Sequence, residues 1–355
     1  MLSLFVIIPL VVASTFFALL LIDRERATLA KRSLRHIAAR QSSHSAPTPR
    51  VGGVAIAVGI LSGALLSGYD SFGLLLWTAL PIFLVGLFED LGPDTPASFR
   101  LGVAAISSIL AVVIFDTTIS RISFSPLDPV FALPLVALGF TIFACVGFTH
   151  AMNLIDGLNG LSSAIVIFIM ASFALVAYRF GHSDLLALNL VVIAAFSSFI
   201  LVNFPFGRIF LGDAGAYSVG HIIAWNAIFL LGREPQISAW GILLILLWPV
   251  LDTVFAMLRR ARMGSSIYRA DRLHFHHVVM RLIMICAPNL RAKSKANPIA
   301  SFLIWPFACI PCALGICFIN NTEAAMMSIG MFTLLYSFTF SRLVRNAYRL
   351  RAVFT

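Results

Sequence analysis

The sequence predicts an all-α, polytopic membrane protein with about eleven transmembrane helices. Three observations lead there. Hydrophobic residues fill 60% of the 355 positions, charged residues only 11%, and the mean hydropathy is +0.96. A water-soluble domain of this length needs far more charge to cover its surface. The apolar residues come in runs close to the roughly 20 that cross a hydrocarbon core. Between those runs Lys and Arg are unequally shared, as expected when basic loops stay in the cytoplasm.

The runs place spans near 3–22, 51–68, 72–88, 101–115, 131–148, 161–178, 184–203, 216–232, 239–258, 298–318 and 324–341. The first is too long for a signal-peptide core and no basic segment precedes it, so it reads as a retained span. The fourth is short, but loop charge argues for keeping it. With the N-terminus outside, the inner segments 23–50, 89–100, 149–160, 204–215, 259–297 and the C-terminal tail hold 22 of the 25 Lys and Arg residues. The outer loops hold only Arg121, Arg179 and Arg233. Removing the fourth span would invert everything after it and destroy that asymmetry. With no repeat of solenoid period and no low-complexity tract, residues 1–355 read as one integral membrane domain.

The net charge of +10 is scattered between apolar runs and forms no continuous patch, which argues against a nucleic-acid partner. Four of the five cysteines fall in apolar runs, so no disulfide framework is expected. Cys309 and Cys312 have redox-motif spacing but lie mid-span, close to Pro306 and Pro311, where packing is the better reading.

The same parity puts every unusual polar segment on the inner side. The first runs from His44 through Pro47, Pro49 and Arg50 to Gly52 and Gly53. Its prolines extend the chain, and its glycines open a helix whose N–H groups and dipole favour an anion. An ordinary turn leading into the membrane is the plainer alternative. Next come Glu89 and Asp90, with Asp94 and Arg100 close behind. Adjacent carboxylates at a span end repel one another, favouring a cation between them or a raised pKa. Hard oxygen pairs of this kind suit Mg²⁺, though a solvated helix terminus would need neither. Asn153, Asp156, Gly157, Asn159 and Gly160 form the third segment, in which Asn153 and Asp156 would share one face of a helical turn. Polar residues between two strongly apolar runs are hard to explain by packing.

The fourth segment sets Asp213 between Gly212 and Gly215 at the start of a span, placed to cap a helix or to hold a metal ion at the boundary. In the fifth, Arg269, Asp271, Arg272, His274, His276 and His277 lie in the longest inner loop. Zinc-finger spacing is absent there, and the arginines make phosphate or nucleotide contact the better reading. Asp252, inside the ninth span, is costly in lipid and is expected to face the bundle interior.

In order and spacing these five segments, from His44 to His277, resemble the polyprenyl-phosphate N-acetylhexosamine-1-phosphate transferases. The run from Ala270 to His277 looks like the undecaprenyl-phosphate GlcNAc-1-phosphate branch, whereas the MurNAc-pentapeptide branch carries three consecutive histidines. Two positions depart from the pattern. Glu89 stands where the family usually has Asp, and Asn159 where it usually has a second acid. The resemblance implies that polyprenyl phosphate attacks the sugar-bearing phosphorus of a UDP-N-acetylhexosamine and expels UMP, beginning a lipid-linked cell-envelope glycan such as O-antigen, capsule or teichoic acid.

It further implies Mg²⁺, or Mn²⁺ in its place, with Asp213, Asp90 and Glu89 as metal ligands. Asp90 and Asp156 become the catalytic candidates. Asn153, Asn159, Arg272, His274, His276, His277, Arg50 and Arg100 become substrate-binding candidates. The expected setting is the bacterial cytoplasmic membrane, with the N-terminus outside, the C-terminus and site inside, and room for a homodimer. A polytopic transporter and a catalytically degenerate family member are the competing readings. The first would place its polar groups near the bilayer midplane; the second is motivated by Glu89 and Asn159.

Overall fold

A computed structural model of the chain describes residues 3–32, 48–92, 95–264 and 273–354. Every regular element among them is helical. In chain order the α-helices are α1 (Leu4–Arg24), α2 (Arg26–Arg32), α3 (Gly52–Ser67), α4 (Asp70–Leu91), α5 (Ala97–Phe115) and α6 (Asp128–Phe131). They continue as α7 (Pro134–Leu154), α8 (Leu161–Phe180), α9 (Ser183–Asn203), α10 (Gly212–Arg233) and α11 (Ala239–Ile245). The last four are α12 (Leu247–Arg262), α13 (Phe275–Cys286), α14 (Lys293–Cys317) and α15 (Thr322–Phe354).

Among the described residues nine helices are long and apolar enough to cross a membrane, and the chain is a multi-pass membrane protein. Each of the eleven runs read from the sequence coincides with a helix. Two differ from expectation. The second, α3, has 16 residues and is short for a span. The ninth is a bent pair, α11 and α12, breaking by 81° after Ile245. The fourth run proves longer than hydropathy suggested, because α5 begins at Ala97 and covers 19 residues.

Helix α10 lies at the centre, almost wholly buried, against α4, α7, α3 and α8. Small residues permit this. A side-chain carbon on Gly53 of α3 would collide with the backbone of Gly215 in α10, so the two helices touch main chain to main chain. Helices α1, α3 and α9 pack together on one side, while α13, α14 and α15 pack on the other. The cysteines are all free. Cys312 is buried as expected and bonds to the Ile245 carbonyl, but Cys309 is exposed on the outside of the bundle.

Candidate active site

The first four of the sequence segments meet at the N-terminus of α10. Backbone hydrogen bonds join the first to the fourth: Phe210 N–H donates to Pro49 at 2.8 Å, Gly52 N–H to Phe210 at 2.9 Å, and Gly53 N–H to Leu211 at 2.8 Å. The amides of Gly52 and Gly53, expected to be open for an anion, are therefore taken by these carbonyls. Gly212 has φ +77°, and a side chain there would strike the Arg50 carbonyl and the Asp90 carboxylate. Only glycine lets the chain turn so tightly into α10.

Asp90, at the end of α4, is buried and caps α10 from across the bundle. Its two oxygens accept the N–H groups of Asp213 and Ala214, each at 2.9 Å. A helix begins with unsatisfied amides and a positive dipole end, and a carboxylate satisfies both. With Asp90 in that role, the Asp213 side chain is free of capping and turns to cations. Arg50 Nη2 lies 2.6 Å from its Oδ1, Asn153 Nδ2 donates to the same oxygen at 3.1 Å, and Arg100 Nη1 is 3.5 Å from its Oδ2. Arg100 also pairs with Glu89 at 2.5 Å, and Glu89 accepts a hydrogen bond from Thr95.

Asp156 lies on the turn after α7, its N–H bonded to the Asn153 carbonyl at 3.2 Å. The shared face expected for Asn153 and Asp156 is thus made at a helix end, one residue on each side of it. Ser162 donates to Asp156 at 2.6 Å. Burial pushes the Asp156 carboxyl up to about 6, against the pull of that hydrogen bond and of Arg50. Burial opposes charge on Arg50 as well, but Asp213, Asp90, Asp156 and Glu89 outweigh it and raise its pKa. Four acids and two arginines thus share one space at one end of the bundle.

The fifth segment arrives from the other side of the molecule. Arg272, with Arg269 and Asp271, lies outside the described residues, as do His44, Pro47 and Asp94. His276 is buried with its ring against Gly157, close enough that any side chain there would collide with it. Its Nε2 has no hydrogen-bond partner, and burial pulls its pKa well below the ordinary value, with His277 adding to the effect. The His276 and His277 rings stand edge to face at 4.2 Å. His274 is turned away from the acids and bonds to Asp252 at 2.8 Å.

Asn159 is also buried. Its N–H donates to Asn297 Oδ1 at 2.8 Å and its Nδ2 to the Pro205 carbonyl at 2.9 Å, so it braces the third segment on α14 and on the loop before α10. Sequence reading missed Asn297, Thr95 and Ser162, whose residue types are common in loops and helices and carry no pattern. It placed Asp252 in the interior but gave it no partner.

The donor set also bears on the expected metal ion. Among the described residues no group of three or more His, Cys, Asp or Glu side chains encloses a cation site. Mg²⁺ does not require one, since it commonly takes one or two carboxylates and completes its shell with water and substrate phosphates. Asp213 and Glu89 are hard oxygen donors on neighbouring helix ends, already drawing two guanidinium groups. Asp90 fits less well, because both of its oxygens are engaged by backbone amides.

Fold and site together define a multi-pass membrane protein with an acid- and arginine-lined site at its helix ends. Residues 72–231 match the model of glycosyl transferase family 4. The chain is 34% identical over 248 residues to a probable undecaprenyl-phosphate N-acetylglucosaminyl 1-phosphate transferase of Bacillus subtilis (strain 168), covering 67% of each chain. It is 30% identical over 249 residues to the undecaprenyl-phosphate alpha-N-acetylglucosaminyl 1-phosphate transferase of Salmonella typhi, covering 67% of this chain and 66% of that one. The protein of the same name from Haemophilus influenzae aligns over 324 residues at 29% identity, covering 86% of this chain and 85% of its own. This chain belongs to the polyprenyl-phosphate N-acetylhexosamine-1-phosphate transferase family, and is accordingly a phosphotransferase.

Proposed function

We propose that the protein transfers an N-acetylhexosamine 1-phosphate from a UDP-sugar to undecaprenyl phosphate, with GlcNAc the sugar carried by the relatives' names. In the reaction an oxygen of the lipid phosphate bonds to the sugar-bearing phosphorus of the donor. The bridging P–O bond to the UMP phosphorus breaks, and UMP leaves. Both reactants are anions, so the transfer needs alignment and charge neutralisation more than covalent chemistry. The observation that carries the proposal is the convergence of Arg50, Arg100, Glu89, Asp90, Asp156 and Asp213 at one end of the bundle.

Arg50 and Arg100 bind phosphate oxygens, exchanging carboxylate partners for substrate. Asp213, with Glu89, would hold Mg²⁺, or Mn²⁺ in its place, and the ion would neutralise charge on the donor diphosphate. Asp156 accepts a proton from the lipid phosphate when that group arrives as its monoanion. Asp90 holds the N-terminus of α10 and so sets where Asp213 stands. Asn153 steadies Asp213, Asn159 braces the donor side, and Arg272, His276 and His277 contact the donor diphosphate or sugar. His274 orients that histidine segment.

The site is assigned to the cytoplasmic face of the bacterial inner membrane, where a lipid phosphate lies at headgroup level and nucleotide sugars are available. The product would begin a lipid-linked cell-envelope glycan. Supplying purified protein with Mg²⁺, undecaprenyl phosphate and a panel of UDP-N-acetylhexosamines tests the reading through UMP release. No UMP from folded protein with any donor would sink it.

A further inference from the structure

Asp252 lies on α12 in the bent span, 2% exposed. Tyr336, beside it, packs against Trp248 at 5.6 Å, Phe255 at 4.9 Å and Phe275 at 5.2 Å between ring centres. A carboxylate in such a place is costly unless its oxygens are matched. They are. Oδ1 accepts the Phe275 N–H at 3.0 Å and the Tyr336 hydroxyl at 2.8 Å, and Oδ2 lies 2.8 Å from His274 Nδ1. The acid therefore joins α12 to the start of α13 and to the last long helix, α15.

The two partners of His274 fix its tautomer. Its Nε2 is 3.5 Å from Arg260 Nη2, and a guanidinium can only donate. An ionised carboxylate can only accept, so the 2.8 Å contact puts a ring proton on Nδ1, facing Asp252, and the longer Arg260 contact favours a lone pair on Nε2. Buried and bonded on both sides, His274 has no nitrogen left for a substrate. The neighbouring rings are arranged differently. His276 stacks on His274 at 5.7 Å, and its Nε2, without a partner, lies against Gly157 in the third segment.

We propose that Asp252 is a positioning residue for the transfer reaction: with His274 and Tyr336 it forms a buried latch that pins the first turn of α13, so that His276 and His277 face the Asn153–Asn159 turn. The donor contact made by those two histidines rests on the function proposed above; the latch itself does not. One link is a helix cap made from across the bundle, since Asp252 takes the first amide of α13. A second link reaches α15, which contributes none of the segments of the acid cluster.

The test uses full-length protein in detergent, labelled with ¹⁵N-histidine, with the His274 resonance assigned through a His274→Gln variant. The expected wild-type signal is a ring protonated on Nδ1. In Asp252→Asn, which can still accept from Phe275 and Tyr336, that signal is lost. The donor KM rises about tenfold, as is common when the partner of an orienting histidine is removed, while the KM for polyprenyl phosphate stays within about twofold.

Tyr336→Phe removes one hydroxyl, leaves the His274 tautomer unchanged and raises the donor KM about fivefold, the equivalent of one ordinary hydrogen bond. Combined with Asp252→Asn it adds little, because the two act through one latch. A wild-type ring protonated on Nε2 overturns the proposal. So does a folded Asp252→Asn or Tyr336→Phe variant whose donor KM is unchanged or rises equally with the lipid KM. Should Asp252→Asn not fold, the Tyr336→Phe kinetics decide. The tautomer is read without substrate, so an absence of all turnover would count against the transferase reading and leave the latch to be judged by the resonance.

Discussion

Asp156 and Asp213 lie in one cluster but in opposite surroundings. Asp213 is met by Arg50, Arg100 and Asn153, whereas Asp156 has the Ser162 hydroxyl and is pushed up to about 6. A base of that pKa is ready near neutral pH and protonated below it. The lipid phosphate has a second pKa of about 6 as well. Wild-type kcat/KM should therefore fall with a slope of about one per pH unit well below that value, because the reactive pairing of ionised Asp156 with the phosphate monoanion is one proton short of the fully protonated state. Asp156→Asn should keep a slope of about one and lose at least about 100-fold in kcat.

The stability sign runs the other way. A carboxyl whose folded pKa exceeds its unfolded value of about 3.9 gives stability that is present below that value and lost as pH rises through about 6. At pH 7.5 Asp156→Asn should melt no lower than wild type, read by thermal unfolding in detergent. Asp213→Asn keeps an oxygen for Arg50 and Asn153 but loses the charge. Turnover should drop at least about 100-fold with folding preserved, measured across a Mg²⁺ titration. Near-normal activity would remove Asp213 as the key metal ligand.

Two helices that carry the site, α10 and α13, begin with amides bonded by an aspartate from elsewhere in the chain. Asp90 serves the first and Asp252 the second. This arrangement fixes the end of one helix against another, which a cap supplied by the preceding residue cannot do. Asp90→Ala should cost about 1–2 kcal/mol, the usual size of a lost cap, seen as a lowered Tm in detergent. The contact of α3 with α10 is equally unforgiving. Gly53→Ala adds a carbon where the Gly215 backbone already stands, and overpacking of this kind costs about 1–3 kcal/mol. A variant as stable as wild type would mean that the two helices do not meet this way.

For the molecule as a whole, the open question of orientation is one of charge. Loop charge predicts that the acid cluster faces the cytoplasm, and labelling tests that expectation. Position 121, which loop counting alone would choose for a cysteine, is unsuitable: Arg121 donates to the carbonyls of Leu231, Glu234 and Ile237, so its loss would disturb the ends of α10 and α11. Ser125 is exposed in the same loop. Ser125→Cys should react with an impermeant thiol reagent in intact cells, while the native Cys286 reacts only after permeabilisation. Protection of position 125 would reverse the assigned topology.

The sequence by itself determined that the chain is a helical membrane protein, where its apolar runs lie, and which family its polar segments resemble. Hydropathy and motif order are properties of neighbouring residues, so they can be read along the chain. Glu89, Asp90, Asp156 and Asp213 were all legible as candidates for the same reason. Only the tertiary structure decided what each one is bonded to. Asp90 is engaged by the amides of residues 213 and 214, His274 by Asp252, and Asn159 by Asn297. Those partners are far apart in sequence, and a hydrogen bond depends on distance and direction that helix packing alone supplies. The sequence offered Asp90 beside Asp213 as a metal ligand and His274 beside His276 as a substrate contact. Packing separates them, since Asp90 and His274 are bonded within the protein while Asp213 meets arginines and His276 Nε2 is left without a partner.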